Sequence, residues 1–271
     1  MDQIRQAIDR AKQTGPLLTE AKPSASAQVH RMAGAGMLLA PEVALSVAHL
    51  ESNRVIAHDI SDPRARSFDM LRTQVLQPMD MKSWQLLAVT SPTPGCGKTV
   101  VSLNLALSIA RQPDRQVLLV DMDFQKPKVA NYLGLKVNDG ILSVLEGRTV
   151  LSDVIVPARI RNQQLLVLPC ETTTLRSSEF MASRQMVGLL QDIRRSFPGW
   201  TVILDFPPIL AGDDFITILP RIDCVLFVVG AGRSTKTEIK DCNKHLDTAS
   251  VIRVVVNKAL DSSATHYYAR Y

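Results

Sequence analysis

The sequence predicts an α/β fold, a mostly parallel β-sheet flanked by helices. Three observations predict it. From Trp84 onward, short β-branched or leucine-rich runs alternate with helix-like stretches. Those runs are continuously apolar, as strands covered on both faces are. A glycine-bearing loop, Ser91-Pro92-Thr93-Pro94-Gly95-Cys96-Gly97-Lys98-Thr99, joins the first run to the first long helix-like stretch.

The elements follow in chain order. Residues 1–80 mix basic and small residues with Ser/Pro breaks such as Lys22-Pro23-Ser24-Ala25-Ser26. They read as an N-terminal arm, helical or partly disordered. Residues 1–50 are expected to be mobile or to dock on a partner. Arg64 to Met79 reads as a helix leading into the core. Strands are expected at Leu86–Thr90, Val117–Asp121, Leu165–Pro169, Thr201–Asp205, Val225–Val229 and Val254–Asn257. Helices are expected at Lys98–Arg111, Glu179–Phe197 and Lys236–Asp247. The division is an arm over 1–80, a nucleotide-binding domain over 81–260 and a tail over 261–271. In such sheets, ligands bind at the C-terminal ends of the strands.

Composition narrows the function. A chain of 271 residues with 46% hydrophobic content can bury a large core. No apolar run is long enough to cross a membrane, and Met37 to Val47 is broken by Pro41 and Glu42. The N-terminus lacks signal-peptide form, so a cytoplasmic setting is expected. The four cysteines show no C-x-x-C pairing, which fits a reduced compartment. The net charge of +5 comes without a basic stripe interleaved with aromatics, so nucleic acid is not an expected partner.

The loop carries the chemistry. Gly95 and Gly97 let main-chain N–H groups turn inward on a polyphosphate. The following helix N-terminus adds partial positive charge. Lys98 reaches the outer phosphates, and Thr99 offers its hydroxyl to Mg²⁺. This is the P-loop of an NTPase, with Pro92 where the usual pattern begins with Gly. The ATP-binding set is Pro94, Gly95, Cys96, Gly97, Lys98, Thr99 and Val100, with Asn257. Cys96 is either an oxidisable thiol in the loop or a small residue that fits there.

Carboxylates stand where Mg²⁺ needs them. One strand ends Asp121-Met122-Asp123, and another ends Asp205-Phe206-Pro207-Pro208. A carboxylate at the end of an apolar strand needs a cation or donors to meet it. Mg²⁺ bridging the phosphates is such a cation. Lys126 and Lys128 either steady phosphate charge or form a solvated face. Asn257-Lys258 ends the last strand, where Asn257 either contacts the base or caps the strand. Leu260 stands where guanine selection uses Asp, which favours ATP over GTP.

Three of the four tyrosines, Tyr267, Tyr268 and Tyr271, lie at the C-terminus. They serve as phosphoryl acceptors or as an aromatic anchor, and an ATP site upstream favours the first.

Together these motifs resemble the bacterial tyrosine kinases of capsule and exopolysaccharide synthesis, relatives of the septum-site and partition ATPases. The likeness runs over residues 64–271. It rests on Pro94 to Thr99, on Asp121 and Asp123 with Lys126-Pro127, on Asp205 with Pro207-Pro208, and on the tyrosine tail. The resemblance implies an autokinase that uses ATP and Mg²⁺. Lys98 would hold the transferring phosphoryl group. Thr99, Asp123 and Asp205 would hold the metal. Asp121 would orient or deprotonate the tyrosine hydroxyl. A tail tyrosine would enter the site of a neighbouring copy in a homo-oligomer. A membrane-embedded chain-length determinant would be the activating partner, keeping the chain at the inner face of the membrane.

Two departures stand out. The family's Glu-x-x-Arg-x-x-Arg helix reads Arg66, Asp69 and Arg72 here, which disfavours the usual ring contact. The tyrosine cluster is also sparse. The alternative is a non-kinase P-loop ATPase, a nucleotide-switched adaptor or positioning protein in polysaccharide assembly. The partition-type cousins carry an extra lysine early in the loop, and Thr93 stands there instead.

Overall fold

The computed structural model describes residues 41–247 and 249–259. The first 40 residues of the expected arm and the tail with Tyr267, Tyr268 and Tyr271 lie outside them. The described chain begins with β1 (Val43–Ala44), α1 (Val47–Ser52), α2 (Ala65–Met81), β2 (Leu86–Thr90) and α3 (Lys98–Ala110). It continues through β3 (Val117–Asp121), α4 (Val129–Leu133), α5 (Ile141–Leu145), α6 (Leu151–Val154), β4 (Val156–Ile160) and β5 (Gln163–Leu168). It ends with α7 (Ser177–Met181), α8 (Arg184–Ser196), β6 (Thr201–Asp205), α9 (Asp214–Ile218), β7 (Cys224–Gly230), α10 (Lys236–Leu246) and β8 (Val251–Asn257).

The eight strands form one sheet in the order β1-β4-β5-β3-β6-β2-β7-β8, and only the β4–β5 pair is antiparallel. The pleat divides the core in two. Leu86, Ala88, Leu118, Val120, Val202 and Leu204 face one layer, which α7 to α10 cover. Leu87, Val89, Val117, Leu119 and Ile203 face the other, which α2 and α3 cover. Burial on both faces is why these strands read as unbroken apolar runs. β2, β3 and β6 are adjacent and parallel, and Asp121 stands directly across from Asp205. Both acids therefore end at the same sheet edge as the glycine loop. No helix among the described residues is long and apolar enough to cross a membrane.

Three features differ from the expectation. The single helix expected over Glu179–Phe197 is two, α7 and α8. Ser183 separates them: its hydroxyl accepts the Met186 N–H at 3.1 Å and caps α8. β4 was not expected, because Pro157 removes a ladder donor and masks the strand signal. It pairs with β5 through a two-residue turn at Arg161-Asn162, with Arg161 at φ 51°. Residues from 43 onward in the arm are ordered on the core, with Leu50, Val55 and Ala57 fully buried. β1 adds the outermost strand there, too short to carry a pattern.

The helix with reversed charges also has its own explanation. Asp69 turns inward from α2 to α3 and accepts from the Ser108 hydroxyl at 2.7 Å and from Arg72 and Arg111. Arg66 stays exposed. Asp69 thus ties two helices of one chain together.

Candidate functional site

The loop's geometry follows from its two glycines. Gly95 and Gly97 lie at φ 84° and 91°, the left-handed region that favours glycine. A Cβ on Gly97 would fall 2.3 Å from the Asn257 side chain, so that position has no room for one. Asn257 Nδ2 donates to the Cys96 carbonyl at 2.9 Å, and its Oδ1 accepts the Lys258 N–H. Asn257 therefore ties the loop to β8. Cys96 is buried and packs against Gly230 and the Ser234 hydroxyl. Burial pushes its thiol up, but hydrogen bonds from Ser234, Thr93 and Gly230 outweigh this and lower it.

Lys98 opens α3 and is nearly buried. Its Nζ lies 2.8 Å from Asp123 Oδ2 and 3.8 Å from Asp205 Oδ2. Burial alone pulls an ammonium pKa down. The negative charge of Asp205, Asp123 and Asp121 outweighs that and raises it, so Lys98 is held cationic. Thr99 Oγ1 donates to Asp205 Oδ2 at 2.7 Å, and Ser102 Oγ donates to Asp205 Oδ1 at 2.9 Å. Burial raises the Asp205 pKa, and Lys98 with these hydroxyls offsets part of the rise. Lys98, Thr99, Asp123 and Asp205 thus form one connected group.

Asp121 belongs to the same strand edge but faces another way. Its Oδ2 accepts the N–H groups of Lys128 and Val129 at 2.9 and 3.0 Å, and Oδ1 accepts that of Asp123 at 3.2 Å. It is fully buried and holds the 123–129 loop at the edge of the site. Burial and the charge of Asp205 push its pKa up to about 7.

A cleft of about 350 Å³ opens above this group. Pro94, Gly95, Gly97, Lys98, Thr99 and Val100 line one wall. Asp123, Lys126, Lys128 and Pro207 line the other side, and Lys258 and Arg54 also reach it. Among the residues missed in the sequence are three that shape the site. Ser102 and Asn104 are polar residues inside an otherwise apolar helix, a pattern that signals fixed partners. Arg54 carries no such mark, since only the fold brings it to the cleft.

An α/β sheet with a strand–glycine loop–helix cradle at its C-terminal edge, and a buried lysine among carboxylates, defines a P-loop nucleotide-binding protein. The sequence profile of the CobQ/CobB/MinD/ParA nucleotide binding domain matches residues 87–268, and the chain belongs to that family. It is 35% identical over 219 residues to EpsB of Ralstonia nicotianae, which covers 78% of this chain but only 28% of EpsB. It is 27% identical over 185 residues to the tyrosine-protein kinase CpsD of Streptococcus pneumoniae, covering 68% of this chain and 79% of CpsD. The kinase domain of the Escherichia coli tyrosine kinase ETK superposes with a TM-score of 0.66 at 25% identity, covering 75% of this chain and 80% of that domain. The chain therefore spans little more than a quarter of EpsB.

Proposed function

We propose that this chain is an ATP-dependent protein-tyrosine autokinase acting in exopolysaccharide or capsule biosynthesis. The observation that carries the reading is the connected group of Lys98, Asp123, Asp205 and Thr99 at the mouth of the glycine loop. Its similarity to CpsD and the ETK kinase domain supports phosphoryl transfer to tyrosine. Tyr267, Tyr268 and Tyr271 are the proposed acceptors.

Mg²⁺ fits this donor set. Thr99, Asp123 and Asp205 offer hard oxygens, the ligand type this ion takes. Magnesium, completed by phosphate oxygens and water, would neutralise charge on the β- and γ-phosphates. Lys98 holds the γ-phosphoryl oxygens as charge moves from the γ-phosphorus toward the leaving group. The tyrosine oxygen forms the new P–O bond, the bond to the β-phosphate oxygen breaks, ADP leaves, and the phenol proton departs to a base or to solvent. Main-chain N–H groups of Gly95 to Val100 fix the phosphates, and Asn257 fixes the loop. Asp121 acts here as the residue that holds the wall of the cleft.

The acceptor tail enters the cleft of a second copy, and a membrane-embedded chain-length determinant is the proposed activating partner at the inner face of the membrane. Incubation with Mg·ATP, alone and with that partner's cytoplasmic segment, followed by mass spectrometry tests the reading. Phosphate on the tail, absent after all three tyrosines become Phe, is expected. Nucleotide-dependent assembly with an unphosphorylated tail under every condition would instead establish a non-kinase ATPase adaptor.

A further inference from the structure

Asn104 lies in the interior of α3 and is fully buried. Its Nδ2 donates to the Arg54 carbonyl at 3.0 Å and to the Val100 carbonyl at 2.8 Å. Its Oδ1 accepts the Ile56 and Ala57 N–H groups at 2.8 and 2.9 Å. Every hydrogen-bonding capacity of this amide goes to main chain. It joins the segment after α1 to the turn that follows the glycine loop.

That joint holds Arg54 in an uncommon state. Its φ of 61° is in the left-handed region, sparsely populated by residues with a side chain. Burial of Val55 and Ala57 on its C-terminal side fixes the segment. The nearby arginines are engaged: Arg64 pairs with Asp62, and Arg161 with Asp59. The Arg54 guanidinium has no hydrogen bond or ion pair among the described residues. It is exposed and lines the cleft above Lys98. Lys126, Lys128 and Lys258 line the same cleft, against the single carboxylate of Asp123. A cleft with that charge excess fits a polyanion, and a guanidinium makes paired hydrogen bonds to phosphate oxygens.

We propose that Arg54 contacts the phosphate chain of the bound nucleotide, and that Asn104 is the positioning residue that brings it there. This rests on the nucleotide-binding reading above. The arm is then part of the site, closing the cradle from beside the first turn of α3.

Calorimetric titration of the full chain with Mg·ATP and with Mg·ADP tests this in the native protein and in Arg54→Gln, Arg54→Gly and Arg54→Lys. The Gln and Gly variants are expected to lose about tenfold in affinity, with the Lys variant losing less. Thermal melting of the nucleotide-free chain reports folding separately. Glycine suits φ 61°, so Arg54→Gly removes the side chain without strain and is expected to melt no lower than the native chain. Native binding with Gln and Gly affinities within twofold of it would overturn the assignment and leave the nucleotide reading intact. No binding by the native chain would overturn both.

Discussion

Lys98→Met is expected to reduce phosphoryl transfer by on the order of 10³-fold, because it removes the buried cation of the glycine loop that faces the developing phosphoryl charge. The same change unbalances the free protein. Lys98 sits 2.8 Å from Asp123 and 3.8 Å from Asp205, with Asp121 close behind in the same buried edge. Removing one partner of such a group costs about 3–5 kcal/mol when the remaining charge cannot reach water. The loss depends on pH. The Asp121 pKa of about 7 in the folded chain stands well above the usual carboxylate range. A carboxyl with a raised folded-state pKa adds stability at low pH, and that stability is lost as pH rises through 7. Without Lys98 the carboxylates repel each other unopposed. Melting at pH 5 and pH 8 is therefore expected to show a larger fall in Tm toward pH 8 for Lys98→Met than for the native chain. An equal fall in both would mean that Lys98 does not balance these acids.

Phe206→Ala carries an expected effect on folding of the same size. Phe206 follows Asp205, is fully buried, and stacks edge-on with Phe215 at a centroid distance of 5.4 Å. Its N–H donates to the Val89 carbonyl at 3.0 Å, beside the start of the glycine loop. Truncating a buried phenylalanine costs about 3–5 kcal/mol. In a domain of this size that lowers Tm by roughly 10 °C. Phe124 anchors Asp123 in the same manner, buried and edge-on to Phe180. Asp123 and Asp205 are thus each followed by an aromatic residue locked in the core. Nucleotide affinity is expected to fall with Phe206→Ala even below the melting range, because Asp205 loses its anchor. Phe206→Leu fills most of the space and is expected to lose much less of both. Unchanged melting of Phe206→Ala would show that this side chain does not hold the strand end.

The central strands were legible because their signal is local. Leu86–Thr90, Val117–Asp121 and Thr201–Asp205 are short, apolar on both faces, and end in polar residues. The loop was legible because two glycines, a lysine and a threonine at fixed spacing leave few alternatives. What the residues could not disclose was long-range. Whether Asp121 faces the cleft or the loop depends on where the N–H groups of Lys128 and Val129 fall. The Asn257 amide finds the Cys96 carbonyl across 161 residues of sequence. Arg54 reaches the cleft on a segment whose carbonyl Asn104 binds from 50 residues away. Pro157 hid β4, and a serine cap divided a helix whose apolar periodicity runs on.

Calorimetric titration of the native chain with ATP, in Mg²⁺ and again in a chelator, measures most directly whether the lysine, the hydroxyl and the two acids meet around one nucleotide. Saturable uptake of one ATP per chain, weakened at least tenfold by the chelator, is the predicted result. No uptake, or uptake of equal strength without the metal, would contradict it.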